Sequence, residues 1–171
     1  AYGFDKPLLV QYMNQMEMIF TGNFGKSFRF KTEAMPLIIE RLPATIELAL
    51  FSILVALIIA IPAGCLSAIY QNSILDLFVT IFSTIGRAMP NFWIGIMLIF
   101  FFSVVFRILP VSGRLEATSI ILPAITLGTS IATTMARILR SSMIEVIRKE
   151  YIVTAKSKGL SKFKIIRSHI L

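Results

Sequence analysis

The chain has 171 residues, 56% of them hydrophobic and only 15% charged, and its mean hydropathy is +0.81. Because a soluble domain carries about 25% charged residues, this composition excludes an ordinary soluble protein. Residues 48–70, 88–106 and 117–136 contain no charge, and each stretch has the roughly 20 apolar residues with which a helix crosses the hydrocarbon core of a membrane. The sequence therefore predicts an all-α fold, a polytopic transmembrane helical bundle.

The formal net charge of +8 is concentrated at one end of the chain. Residues 137–171 hold nine Lys or Arg against two acids, whereas residues 1–136 hold eight Lys or Arg against seven acids. An excess of Lys and Arg near the ends of spans marks the cytoplasmic side. We therefore expect the segment after the third span to be cytoplasmic and, by the parity of the spans, residues 1–45 to be external.

An external segment must be carried across the membrane, yet residues 1–45 contain neither a signal peptide nor a span. The chain also begins with Ala1 and stops within another apolar run, residues 162–171. We therefore expect the sequence to be a fragment that lacks a leading span and at least one trailing span.

In chain order, residues 1–45 come first and predict a periplasmic segment with amphipathic helices. Apolar side chains recur at helical spacing over residues 5–20, and a glycine-containing turn follows. A second short helix leads to Pro43, which is expected to end it. Thr45 can then cap the first span, predicted over residues 46–70.

The second apolar block, residues 77–109, is too long for one straight crossing and is interrupted near Gly86 and Pro90. Broken helices in membranes are tolerated where they face protein or a water-filled cavity. Arg87 lies in the break, and two interpretations stay open. Its charge faces the bundle interior or water, or its side chain reaches the cytoplasmic headgroups, about three turns from the start of the block.

The third predicted span, residues 117–140, is rich in small and hydroxyl-bearing side chains, and a cytoplasmic helical extension follows it. The three spans and this extension occupy residues 46–148. Small residues favour close packing between helices, which is the preferred interpretation, and the same face can line a polar pathway. In the extension, Glu145 and Lys149 stand four residues apart and predict an ion pair.

Residues 150–160, EYIVTAKSKGL, form a short cationic segment between two apolar ones. Nothing forbids a helix there, and Gly159 resembles a C-terminal glycine stop. Ser161 can then cap a new helix over residues 162–171, the start of the next span. One interpretation is a basic loop on anionic lipid, which explains the lysines but neither the small side chains nor the glycine. The other is a short cytoplasmic helix whose backbone a partner approaches closely.

This segment, continued as SKFKIIRSHIL, resembles the cytoplasmic EAA loop of permease subunits of bacterial ATP-binding-cassette importers, in the subfamily that serves dipeptides, oligopeptides and nickel. Seven further motifs look like that subfamily in its order: DKPLLVQY, GNFGKSF, ERLPATIELAL, PNFWIGIMLI, LPVSG, ILPAITLG and MARILRSSMIEV. Over nearly its whole length, the chain is similar to an inner-membrane permease subunit.

The resemblance implies that residues 149–161 form a coupling loop that docks on an ATP-hydrolysing partner. Val153, Thr154 and Ala155 stand at the Glu-Ala-Ala positions of the family pattern and Gly159 at its glycine, while the usual glutamate is absent. The residues implied in coupling are Glu150, Tyr151, Thr154, Ala155, Lys158 and Gly159. The residues assigned to the translocation pathway are Arg87, Asn91, Thr126 and Ser130.

The resemblance also implies the partners of the chain in the bacterial plasma (inner) membrane. They are ATP-binding subunits, a second homologous permease subunit, a periplasmic or lipoprotein solute-binding protein, and the lipid bilayer. The implied function is translocation of peptides or nickel, coupled to ATP hydrolysis by a partner subunit. The chain is not expected to be an enzyme, and no catalytic residue, cofactor, metal or nucleic acid is expected.

An alternative from another class is an intramembrane enzyme or lipid-binding scaffold whose basic cytoplasmic segment recognises phospholipid headgroups. Arg87, Arg137 and Arg140 would then be headgroup ligands. That hypothesis also needs acidic or His catalytic groups near the membrane surface, and the sequence offers the three acids Glu47, Asp76 and Glu145.

Overall fold

The computed structural model describes residues 6–114, 116–157 and 159. The chain forms two compact units, Ala1–Glu47 and Leu48–Leu171, and each is described by itself. The helices are α1 (Leu8–Phe20), α2 (Ala34–Ile69), α3 (Ile74–Ala88), α4 (Asn91–Ile99), a π-helical turn (Phe100–Val105), a 3-10 turn (Ala117–Ile120), α5 (Ile121–Ile147) and α6 (Glu150–Ser157). Because the described residues are mainly helical and form no β-strand, the predicted all-α class is confirmed.

Helix α1 lies within the predicted amphipathic stretch and buries none of its residues in this chain. It begins after Pro7, whose carbonyl accepts hydrogen bonds from the backbone N–H groups of Val10 and Gln11 at 2.9 and 3.1 Å. It ends at Thr21, whose hydroxyl donates to the Glu17 carbonyl at 2.9 Å. Its apolar side chains are therefore available to a membrane surface or to another protein.

The predicted break at Pro43 is wrong, and so is the role of Thr45 as a helix cap. Helix α2 is continuous over 36 residues, about 54 Å at the rise of an α-helix. The Thr45 hydroxyl donates to the Arg41 carbonyl one turn earlier at 3.4 Å, as a residue inside a helix does. A proline removes one backbone hydrogen bond of the helix, and the residues on both sides of Pro43 keep the helical geometry.

The second apolar block consists of two helices, α3 and α4, whose axes meet at 100°. The break lies at Met89 and Pro90, and both have extended backbone conformations. A proline disfavours the helical conformation of the residue before it, which explains why α3 ends at Ala88. The Pro90 carbonyl then accepts from the N–H groups of Trp93 and Ile94 and starts α4.

Two stretches of the described chain, Ala34–Ile69 and Ala117–Ile147, are long and apolar enough to cross a membrane. The bent pair of α3 and α4 with its π-helical turn is a third candidate, as a broken span or a re-entrant loop. The length and composition of these helices are those of a helical membrane protein, while the assignment of each span stays a prediction.

Helix α5 packs against α2 through small residues. Ala56 and Ala60 of α2 meet Ala132 and Ala136 of α5 in a buried cluster. At Gly128 of α5 the two helices approach so closely that a Cβ atom would lie 2.8 Å from a backbone oxygen of α2. The small residues of the third predicted span therefore serve helix packing, as small residues at membrane-helix interfaces do.

Candidate functional site

A buried polar cluster lies where α2, α3 and α5 meet. Both nitrogens on one side of the Arg140 guanidinium donate to the Asp76 carboxylate: Nε to Oδ1 at 2.8 Å and Nη2 to Oδ2 at 2.7 Å. Arg140 Nε also lies 2.9 Å from Ser67 Oγ, which donates to Asp76 Oδ1. Asp76 is only 4% exposed. The charged pair links α3 and α5 inside the protein, and Ser67 adds α2 to the cluster.

Local sequence explains how Asp76 is placed. Ser73 is the N-cap of α3, and its hydroxyl accepts from the Asp76 backbone N–H at 3.3 Å. Asn72 has a left-handed φ of 62°, a conformation that asparagine tolerates better than most residues. Its N–H donates to Asp76 Oδ2 at 2.9 Å. The connection at Asn72 and Ser73 and the first turn of α3 therefore position the carboxylate that Arg140 contacts.

The carboxylate of Asp76 is fully paired, which is the condition for keeping a charge inside a protein. A buried charge costs several kcal/mol to desolvate unless its partners are well placed, and here the donors are a guanidinium, a hydroxyl and a backbone N–H. The side chain of Arg140 is 27% exposed. Asp76 occupies one edge of the Arg140 guanidinium, the Nε and Nη2 donors, and the assignment of Arg140 as a headgroup ligand in the lipid-binding alternative stays a prediction.

A cavity of about 540 Å³ lies between α4, α5 and the loop before the 3-10 turn. Its lining is mostly apolar, with an amide and a few hydroxyls among the side chains. The lining residues are Asn91, Phe92, Gly95, Ile99, Pro110, Val111, Ser112, Gly113, Ser119, Leu122, Pro123, Thr126 and Leu127. Of the four residues assigned to the pathway, the structure brings Asn91 and Thr126 together on this cavity.

The other two pathway residues lie elsewhere in the second unit. Arg87 is exposed in the last turn of α3, next to the bend. Ser130 is half-buried on α5, one turn beyond Thr126, and its carbonyl accepts from the Thr133 hydroxyl at 2.9 Å. Neither lines the cavity, so the structure does not unite the four residues in one site.

The π-helical turn after α4 contacts the loop that lines one side of the cavity. Its buried Ser103 donates from Oγ to the Pro110 carbonyl at 3.3 Å and so holds the start of the loop 110–113. Arg107, in the connection, has a φ of 57°. Sequence reasoning missed this turn because FFFSVV is apolar except for Ser103 and carries no local signal for a π-helical turn, although such turns occur frequently at functional sites.

The segment assigned to coupling begins as a helix. Helix α6 runs from Glu150 to Ser157, and Gly159 has a φ of 77°, the left-handed conformation that a glycine stop uses. Tyr151 is half exposed, whereas Ile152 is completely buried and anchors α6 to its own chain. The predicted ion pair is confirmed, with Lys149 Nζ 3.6 Å from Glu145 Oε1.

The rest of that segment is described only in part. Thr154 and Ala155 lie on the helical backbone of α6. Lys158, the capping role of Ser161 and the start of a span over residues 162–171 fall outside the described residues. Within the residues that the structure describes, no three His, Cys, Asp or Glu side chains are grouped so as to hold a metal ion.

Comparisons with known proteins match nearly the whole chain. The profile of the family described as "Binding-protein-dependent transport system inner membrane component" matches residues 60–171. The chain is 34% identical to the di/tripeptide transport system permease protein DppB of Pseudomonas aeruginosa, with 99% of this chain and 59% of the relative covered. It is 36% identical to the oligopeptide transport system permease protein OppB of Haemophilus influenzae, with 99% and 56% covered.

A third relative is the oligopeptide transport system permease protein AppB of Bacillus subtilis, 37% identical with 98% of this chain and 57% of the relative covered. The chain thus spans somewhat more than half the length of these relatives. The match to the family profile includes α3, α4, α5 and α6, with the buried polar cluster and the cavity. The chain therefore belongs to the family of binding-protein-dependent transport system inner membrane components.

Proposed function

We propose that this chain is part of a permease subunit of an ATP-binding-cassette importer for peptides. The observation that carries the proposal is the family match over residues 60–171, joined to relatives that are named di-, tri- and oligopeptide permeases. Those names favour peptides over nickel as the solute. The protein performs no chemistry on its solute, and ATP hydrolysis takes place on a separate partner subunit.

The coupling step uses α6 as the contact with the ATP-binding subunit. Glu150, Tyr151, Thr154, Ala155, Lys158 and Gly159 are the residues we propose for this contact. Support comes from the helix itself, which is short, ends at a left-handed glycine and follows α5 after a turn of two residues. Because α5 is a continuous helix of 27 residues, displacement of α6 by closure of the ATP-binding dimer moves the membrane-spanning part of α5.

The pathway step uses the polar groups on the cavity beside α4 and α5. The Asn91 amide offers both donors and an acceptor, and the Thr126 hydroxyl donates to the Leu122 carbonyl at 2.8 Å, which leaves its oxygen free to accept. Peptide backbones present the same two kinds of group. We assign Arg87 and Ser130 to the same pathway, and a solute-binding protein delivers the peptide from outside.

The orientation follows from charge. The Lys and Arg excess of residues 137–171 supports a cytoplasmic position of α6, where ATP-binding subunits would meet it. Residues 1–45 are then external, and a second homologous permease subunit completes the translocation pathway.

The test of the proposal is a reconstituted transporter with substitutions in α6. Ala155→Arg adds bulk at a position where we expect a close partner, while arginine remains a good helix former. Gly159→Val removes the residue best suited to the left-handed conformation, at a cost of about 1 kcal/mol. Both variants are expected to insert normally and to lose ATP hydrolysis stimulated by peptide-loaded binding protein. Ser142→Arg is the matched control, since it adds the same charge to an exposed site of α5 and should keep the stimulation.

Two results would contradict the proposal. If Ala155→Arg keeps full stimulation, α6 is not a docked coupling helix, and stronger binding of that variant to anionic vesicles would favour the lipid contact instead. If the unmodified protein neither binds an ATP-binding subunit nor imports a labelled dipeptide into proteoliposomes, the function is wrong as a whole.

A further inference from the structure

We propose that Arg140 and Asp76 form a positioning link that makes α3 follow the movement of α5, so that the displacement of α6 reaches the bend at Met89 and Pro90. The inference rests on the proposed coupling function and names the residues inside the membrane unit that transmit it. It concerns two charged side chains 64 residues apart in sequence that meet in a buried cluster.

The first step is the distance from α6 to the link. Arg140 stands seven residues before Ile147, the end of α5, which is about 10 Å along a helix. Between them Met143 is buried, and after the turn Ile152 of α6 is buried as well. This end of the chain is therefore packed on both sides of the turn, so α6 and the end of α5 move together.

The second step is the geometry of the link. Arg140 binds both oxygens of Asp76 through two parallel donors, at 2.8 and 2.7 Å. A bidentate pair fixes orientation as well as distance, which a lysine cannot reproduce because its ammonium is a single point of charge. Ser67 of α2 donates to the same carboxylate. Rotation or translation of α5 at Arg140 therefore pulls directly on the first turn of α3.

The third step is the second contact between α3 and α5. At Gly86, near the other end of α3, a Cβ atom would lie 2.8 Å from the Thr133 methyl group of α5. The two helices thus touch at both ends of α3, through the charged link at Asp76 and through close packing at Gly86. A helix held at both ends moves with its partner as one body, and the first non-helical residues beyond it are Met89 and Pro90 at the bend.

The bend adjoins the cavity. Asn91, the first residue of α4, lines the cavity. At Gly95 the approach of α4 to α5 is an ordinary contact, since a Cβ there would lie 3.5 Å from the Thr126 methyl group. Movement of α3 with α5 therefore changes the angle at the bend and the position of Asn91. The link thus transmits closure of the ATP-binding partner to the wall of the cavity.

A buried ion pair of this kind is weak evidence for stability, because desolvation offsets the attraction. A purely structural pair would alter how much transporter assembles, and a link would alter what each assembled transporter does. The measurement that separates them is the number of labelled dipeptides imported per ATP hydrolysed, in proteoliposomes that contain the complete transporter and peptide-loaded binding protein.

The variants are Arg140→Lys, which keeps the charge and loses the bidentate geometry, and Ser67→Ala, which removes one hydrogen bond of the carboxylate. Asp76→Asn removes the charge. We expect Arg140→Lys and Asp76→Asn to lower the ratio of import to ATP hydrolysis by at least about fivefold, with Ser67→Ala intermediate. Glu145→Gln is the control, since it breaks an exposed pair with Lys149 on the same helix, and it should keep the ratio of the unmodified protein.

Each outcome decides the inference. If Arg140→Lys and Ser67→Ala assemble and keep the normal ratio, the link does not transmit movement and the inference is overturned. If no variant of the cluster assembles with the ATP-binding subunit, the pair serves only the stability of the fold, and the inference is overturned as well. If the unmodified transporter shows no import, the proposed function fails first, and that result is visible before any variant is compared.

Discussion

Substituting Gly128 by alanine is expected to destabilise the contact between α2 and α5. A Cβ atom at that position would lie 2.7 Å from Val55 Cβ and 2.8 Å from the Ser52 carbonyl oxygen. Carbon atoms make their best contacts at about 3.5–4.0 Å, so the methyl group is roughly 1 Å too close. The Ser52 oxygen belongs to the backbone of α2 and cannot rotate away, so the whole helix must shift.

The expected cost of Gly128→Ala is about 1–3 kcal/mol, the range for forcing an extra methyl group into a packed core. Alanine favours helices over glycine by about 1 kcal/mol in water. In a membrane this gain is small, because α5 stays helical when the helices separate. A shift of α2 also loosens Ala56 and Ala60 against Ala132, which adds to the loss.

The assay is unfolding of the detergent-solubilised permease by titration with sodium dodecyl sulfate, with the midpoint and slope converted to a free energy. Gly95→Ala is the matched control, because its Cβ would meet the Thr126 side chain at 3.5 and 3.6 Å, an ordinary contact. We expect this control to change stability by less than about 0.5 kcal/mol. Equal stability of Gly128→Ala and Gly95→Ala would refute the close approach of α2 and α5. Adding Val55→Ala to Gly128→Ala should restore only part of the loss, since it removes the contact with Val55 Cγ1 at 2.7 Å while the Cβ of residue 55 and the Ser52 oxygen remain.

The remaining predictions concern the pathway and the orientation. Arg87→Ala should change the KM or the maximal rate of dipeptide uptake while assembly with the ATP-binding subunit stays normal. Unchanged uptake kinetics would favour the interpretation in which Arg87 contacts lipid headgroups. A cysteine introduced by Lys158→Cys should react with a membrane-impermeant maleimide only from the cytoplasmic side. One introduced by Ser112→Cys should react only from outside. Labelling of Lys158→Cys by the same reagent in intact cells would show that the proposed orientation is inverted.

Features that depend on a few neighbouring residues could be predicted from the sequence. The apolar runs indicated the membrane helices, and the glycine after EYIVTAKSK indicated where α6 stops. The interruption near Pro90 was also visible, because proline restricts the residue before it. The size of the bend, 100°, could not be predicted, since the angle depends on how α3 and α4 each pack on α5.

Features that depend on distant partners could not be predicted. Arg140 was read as a charge at the cytoplasmic end of a span, and only the fold shows that its partner is Asp76. A local signal was available: Ser73 and Asp76 have the spacing of an N-terminal capping motif before an apolar run, which marks the start of α3. Pro43 misled for the opposite reason, because a strong local signal for a break was overridden by the helical residues around it.

The bend between α3 and α4 has a consequence for hydration. In a continuous helix the Gly86 carbonyl would accept from the N–H group of residue 90, but residue 90 is a proline and has no N–H. The bend also leaves the first N–H groups of α4 without the carbonyls of a preceding turn. Hydrocarbon cannot satisfy such groups, each of which costs several kcal/mol there. If the bend lies within the membrane, we therefore expect it to face water or another protein surface and not lipid chains.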